Sequence, residues 1–210
     1  MAEDPYVYPG TGVLINDLGI RDPRQLAVAE ADIVTVALAT LADEPLPGDY
    51  DTAHLQAVHH NIFGDIYPWA GQLRTVTIAK DASLFALPEH IAPYLAGVLS
   101  DLASEDRLRG LDRADFVGRL AHYFAELNAV HPFREGNGRT QRAFLGQIAT
   151  EAGHPIDWTG LDPDTNARVS REAHQGDNEQ LRELLDEFAG ALSTGGELGR
   201  VVRGLRQEWD

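Results

Sequence analysis

The sequence predicts an all-α bundle carrying one small β element. Two observations predict it. Apolar residues recur at three- and four-residue spacing in most segments, and those runs are bounded by residues that start or stop helices. One segment, TVTI at 75–78, instead alternates polar and apolar residues with β-branched side chains dominating, which reads as a strand. The 210 residues are 43% hydrophobic and 24% charged, which is enough apolar content for a core that needs no disulfide or metal staple.

Residues 1–21 form an irregular arm with prolines, glycines and tyrosines. Asp22-Pro23 starts the first helix, because the carboxylate caps it and the proline lacks only an N–H that would be unpaired there. Leu26, Ile33, Val34, Leu38 and Leu41 face inward, and the linker Pro45-Leu46-Pro47-Gly48 follows. A second helix begins near Asp51 and buries Leu55, Val58, Ile62 and Phe63. Pro88 opens a helix with Ile91, Leu95, Val98, Leu99 and Leu102 inward, and Asp112 caps another with Phe116, Leu120, Phe124 and Leu127 on its buried stripe. That helix must stop near Val130, since His131 precedes a proline. A helix from 138 to about 153 follows the turn Gly136-Asn137-Gly138. Pro163 and Asp177 start two more, the second burying Leu181, Leu184, Leu185, Phe188 and Leu192. A last stripe holds Leu198, Val201, Val202, Leu205 and Trp209.

Lys and Arg total 17 and Asp and Glu 33, a net charge of −16. That balance argues against binding nucleic acid or an anionic membrane. Cysteine is absent, which excludes disulfides, thiolate catalysis and Cys-based zinc sites. The opening MAEDPYVYPG is acidic with no apolar core, and no stretch of 18 uninterrupted apolar residues occurs. The expectation is a chain with no secretory signal and no membrane span, residing in the cytoplasm.

The chemistry concentrates in residues 131–142, HPFREGNGRTQR. Glycines on both sides of Asn137, at the start of a helix, permit a tight backbone path whose N–H groups converge on one anion, and the helix dipole adds positive potential there. Phosphate is the usual occupant of such a site. Arg139 and Arg142, three residues apart, can reach back to the anion with charge-assisted bonds. Glu135 beside clustered phosphates is a natural Mg²⁺ ligand, and His131 is the one group in the segment able to accept a proton near neutrality. Phe133 is expected to point inward and pin the loop. No protein nucleophile is present in the segment, so the attacking hydroxyl belongs to a second substrate.

The segment resembles the signature H-P-F-x-[D/E]-G-N-G-R-x-x-R of the Fic family, and all nine specified positions match. The resemblance implies a Fic-type helical bundle with a β-hairpin flap. It implies transfer of AMP from ATP to a Ser, Thr or Tyr hydroxyl of a target protein, with release of pyrophosphate and with Mg²⁺. On that basis His131 is the base and Glu135 the metal ligand. Gly136, Asn137 and Gly138 nest the phosphates, and Arg139 and Arg142 clamp them. The flap would span Leu73, Arg74, Thr75, Val76, Thr77 and Ile78 to Lys80 and register the target by strand addition. Lys80 and Asp81 at the flap's end, and Asn166, are further nucleotide-site candidates. The chain divides accordingly into an arm and packing helix (1–49), a catalytic domain (50–192) and a C-terminal amphipathic helix or tail (193–210).

The opening DPYVYPG is similar to that of short bacterial Fic toxins held by a small antitoxin, whose helix carries [S/T]-x-x-x-E-[G/N] and engages the second motif arginine, here Arg142. Within this chain Thr40 to Glu44 is followed by Pro45, and Ser193 to Glu197 by Leu198, so neither completes the pattern. Inhibition by a separate protein is the expectation. Some such toxins modify ATPase subunits of type II topoisomerases, which makes these a candidate target. The alternatives are a Doc-like protein kinase, transfer of another phosphate-containing group, and a silent binding module. Doc-like loops carry lysine where Gly138 stands, which favours AMP transfer. His54, His59 and His60 lack zinc-pair spacing and read as packing or surface residues, His122 as structural, and Trp69 as packing beneath the flap.

Overall fold

A computed structural model describes residues 4–80, 83–158, 161, 165, 168, 169, 172 and 177–190. The described elements are helices α1 (Pro23–Asp43), α2 (Thr52–Phe63), α3 (Pro88–Ser104), α4 (Arg113–Val130), α5 (Asn137–Glu151) and α6 (Glu179–Phe188). A 3-10 turn (Asp106–Leu108) and a hairpin of strands β1 (Ala79–Lys80) and β2 (Ser83–Leu84) complete them. The all-α bundle is the observed architecture.

The helix starts follow from capping. Asp22 accepts the N–H groups of Arg24 and Gln25 at 3.0 and 2.9 Å, Asp51 accepts that of His54 at 2.9 Å, and Asp112 that of Asp115 at 3.0 Å. Each such cap is worth about 1 kcal/mol. Packing does more. α5 lies against α1, α2 and α4, and α4 also packs on α3 and α6. Leu55, Val58, Ile62, Phe116, Leu120, Leu127, Phe144, Leu145 and Ile148 are all buried in one continuous cluster that also takes in Val13, Val34 and Leu38. A fully buried Leu, Ile or Phe contributes roughly 1.5–3 kcal/mol, so this shared core holds the bundle.

Two expectations need correction. The strand read at 75–78 lies just outside the ladder, which pairs Ala79 with Leu84 and Lys80 with Ser83. The backbone groups a strand there would need are used elsewhere: the Thr75 N–H donates to the Tyr6 hydroxyl (3.1 Å) and the Val76 carbonyl accepts from Arg74 (2.7 Å). The expectation of no membrane-length segment meets one exception, since α1 is long and apolar enough by length and composition. Its inner face, Leu26, Glu30, Val34, Leu38 and Leu41, is buried, and the helix packs on α2 and α5 as a core element. α4 does end at Val130, but His131 leaves it in the left-handed region (φ 47°, ψ 64°). Pro163, Leu192 and the stripe from Leu198 to Trp209 lie outside the described residues.

Candidate active site

The motif loop joins the end of α4 to the start of α5, and four side chains fix its path, two of them from elsewhere in the chain. Arg74, 2% exposed, donates to the carbonyls of His131 (2.7 Å), Val130 (3.1 Å), Val76 (2.7 Å) and Ala86 (2.6 Å). Its own N–H bonds the Pro132 carbonyl at 2.9 Å. One cation therefore caps the negative end of α4 and ties it to both strands' flanks. Burial lowers the Arg74 pKa from its usual value. The His131 ring stacks on Phe85 at 3.9 Å and 16°.

The second pin is His59 of α2. Its Nδ1 accepts the Gly71 N–H at 2.8 Å, which assigns the proton to Nε2, and Nε2 donates to the Glu135 carbonyl at 3.0 Å. The ring stacks on Phe133 at 3.9 Å, and Phe133 points inward, 1% exposed. Third, the Asn137 side chain is turned into the loop: Oδ1 accepts the Phe133 N–H and Nδ2 donates to the Phe133 carbonyl, both at 2.9 Å. Fourth, Arg134 reaches Asp4 of the N-terminal arm at 2.9 Å. Gly136 turns the chain into α5 at φ 77°, and a Cβ there would stand 2.3 Å from Phe63 Cζ, so this position accepts only glycine.

The two motif arginines part company. Arg142, 2% exposed, returns to the start of α5, its Nη1 3.5 Å from where a Cβ of Gly138 would stand. It also lines a largely apolar groove of about 300 Å³ between α1, α5 and residues 155–158. Arg139 turns inward instead. Its Nη1 donates to Glu30 at 2.7 Å and its guanidinium lies 4.6 Å over the Phe63 ring, with Nη2 3.5 Å from Glu135 Oε1. Glu135 is half exposed, and its Oε1 accepts the Gly136 N–H at 2.9 Å.

A Fic/DOC family profile matches residues 49–149. The probable protein adenylyltransferase Fic of Salmonella typhimurium is 38% identical over 184 residues, covering 88% of this chain and 91% of that protein. The chain belongs to the Fic/DOC family. Protein adenylyltransferase VbhT of Bartonella schoenbuchensis is 41% identical over 184 residues, but this chain spans only 38% of its length. Among solved structures, the Bartonella tribocorum effector BepC with bound AMPPNP superposes with a TM-score of 0.83 at 27% identity, over 90% of this chain and 97% of that one.

The Fic loop thus brings together His131, Glu135, Gly136, Asn137, Gly138 and Arg142. Arg139, expected to reach back to the anion beside Arg142, is paired in this structure with Glu30. The Asn137 side chain faces the loop interior. Arg74, placed in the target-binding flap on sequence grounds, is a buried clamp; Leu73 is half-buried against the core, Thr75 and Thr77 are exposed, and Val76 and Ile78 are half-buried. Lys80 contributes its backbone to β1, while Asp81 and Asn166 lie outside the described residues. Sequence reasoning missed Glu30 and His59 as supports of the Fic loop. A signal existed for Glu30, which occupies an apolar stripe between Leu26 and Val34. None existed for His59, whose partners are backbone groups of other segments.

Proposed function

We propose that the chain is a nucleotidyltransferase that moves AMP from ATP to a Ser, Thr or Tyr hydroxyl of a target protein and releases pyrophosphate. One observation carries the reading: His131 stands at one end of a fully pinned loop whose other end is a glycine-turned helix N-terminus to which the Arg142 guanidinium returns. The relatives named protein adenylyltransferases, and BepC solved with AMPPNP, support it. Neutral His131 accepts the proton of the target hydroxyl. The hydroxyl oxygen attacks the α-phosphorus as the bond to the β-phosphate oxygen breaks. The first-turn N–H groups of α5 and Arg142 hold the charge that leaves as pyrophosphate. The Arg74 clamp and the Phe85 stack fix the imidazole's position before the substrate arrives.

Glu135 fits a nucleotide-bound Mg²⁺. Its carboxylate is half exposed, and neither of its two contacts uses Oε2. Among the described residues no cluster of three protein ligands exists, so phosphate oxygens and water must supply the rest, as is usual for this ion. When bound, the ion neutralises phosphate charge.

The hairpin edge offers backbone groups for registering an extended target segment. The regulator we infer is a small antitoxin whose inhibitory helix approaches Arg142. The apolar groove that runs past Arg142, walled by Leu38, Leu41, Gly146, Ile156 and Trp158, supports this. Topoisomerase ATPase subunits are the first targets to try.

The test incubates the chain with Mg²⁺, bacterial lysate and ATP labelled at the α or the γ position. Protein label from α alone is expected. His131→Ala should abolish it while ATP binding survives, since loss of a general base costs about 10²–10⁴-fold. Label from γ alone indicates the kinase reading, and turnover retained by His131→Ala removes His131 from the mechanism.

A further inference from the structure

We propose that Glu30 is a positioning residue that takes up the charge of Arg139 and so keeps the Glu135 carboxylate available to the Mg²⁺ of the bound nucleotide. The inference rests on the nucleotide reading above. It concerns a residue in α1, outside the stretch that the family profile matches.

A carboxylate on the buried stripe of a core helix needs a reason, because charged side chains are almost never buried unpaired. Glu30 is 6% exposed, between Leu26 and Val34 on the inner face of α1. Both of its oxygens are engaged. Oε1 accepts from Arg139 Nη1 at 2.7 Å, and Oε2 accepts from the Tyr67 hydroxyl. Burial and the neighbouring carboxylate hold the Tyr67 phenol well above its ordinary pKa, so it stays a donor. Arg139 lies between two carboxylates of opposite exposure: buried Glu30 at 2.7 Å and half-exposed Glu135 at 3.5 Å. The first distance is a strong charge-assisted hydrogen bond and the second is not. The guanidinium's charge is therefore committed inward, and Phe63 beneath it at 4.6 Å fixes its plane.

The consequence is electrostatic. Without the Glu30 charge, a buried guanidinium has lost its closest counter-ion, and Glu135, in the loop four residues before it, is a carboxylate within reach. Arg139 would tighten on Oε1 and compete with a cation for the same group. Glu30→Gln keeps the side chain's shape and removes its charge, so it isolates this effect from packing.

The test measures AMPPNP affinity of the full chain by calorimetry, with and without Mg²⁺, and takes the ratio as the Mg²⁺ enhancement. Glu30→Gln should reduce that enhancement about tenfold relative to wild type, the scale of one charge-assisted hydrogen bond. Adding Arg139→Gln to Glu30→Gln removes the competitor and should restore the enhancement, whatever happens to affinity itself. A folded Glu30→Gln with wild-type enhancement overturns the proposal. Enhancement that stays low in the double variant also overturns it, because Glu30 would then act through packing alone. Glu30→Asp, which keeps the charge but draws it back from Arg139, should show a smaller drop in the same direction and carries the test should Glu30→Gln fail to fold; an unchanged ratio in it overturns the proposal. A wild-type chain that binds no AMPPNP at all overturns the nucleotide reading and this inference with it, which separates the two failures.

Discussion

His59 carries two backbone contacts on one ring, to the Glu135 carbonyl of the motif loop and to the Gly71 N–H, and the second requires the neutral imidazole. Burial, ahead of its other influences, pushes its pKa down from 6.5 to about 4. Protonation would place a new N–H at Nδ1 against the Gly71 N–H, 2.8 Å away, two donors facing each other. Between pH 6.5 and 4 the unfolded chain binds this proton and the folded chain does not, so stability rises with pH through that window and is fully present above it. Acidification from pH 7 to 4 should therefore remove up to about 3 kcal/mol through this one group. Urea midpoints across pH 7 to 4 should fall steeply for wild type and less steeply for His59→Gln. The variant is needed because Glu105 and Glu151, whose pKa values are also lowered, add their own losses at the acid end. Equal slopes in the two proteins would show that His59 is not the acid-sensitive pin. A guanidinium keeps its charge through this range, which suits Arg74 as a clamp on the residue proposed as the base.

The turn from the motif loop into α5 is governed by two glycines with different duties. At Gly136 an alanine would meet Phe63 Cζ at 2.3 Å and adopt φ 77°, so Gly136→Ala should cost about 2–4 kcal/mol in a denaturation measurement. At Gly138 an alanine would find only Arg142 Nη1, at an ordinary 3.5 Å, and would gain helix propensity. Gly138→Ala should leave stability within about 1 kcal/mol of wild type. A large loss there, or none at Gly136, would contradict this division. The caps Asp22, Asp51 and Asp112 and the 3.6-residue stripes made the helices legible in the sequence, because each is a local signal. The hairpin was displaced by a few residues because two-residue strands carry no alternation, and the β-branched run before them spends its backbone groups on Tyr6 and Arg74. The site's motif was legible as a contiguous string. Its supports were not, since Glu30, His59 and Arg74 reach it across 109, 76 and 57 residues of sequence.

At the scale of the whole molecule, the net charge of −16 sets a condition on how an anionic nucleotide arrives. Motif-loop arginines are compensated by carboxylates of the same chain, Arg139 by Glu30 and Arg134 by Asp4. The mouth of the site therefore does not present a cluster of uncompensated cations to outweigh the field of the rest. At low salt, where the Debye length is about 30 Å, that field reaches a nucleotide still distant from α5 and repels it; at 0.15 M, where the length is about 8 Å, it is largely screened. The short-range hydrogen bonds proposed for the α5 N-terminus and Arg142 act only after contact. Association should consequently speed up with salt, by roughly three- to tenfold between 0.01 and 0.15 M, opposite in sign to the steering of anions into a basic cleft. Stopped-flow measurement of AMPPNP binding at constant free Mg²⁺ would show this directly. An association rate that falls as salt is added would mean that the motif loop's local potential, not the acidic whole, governs capture.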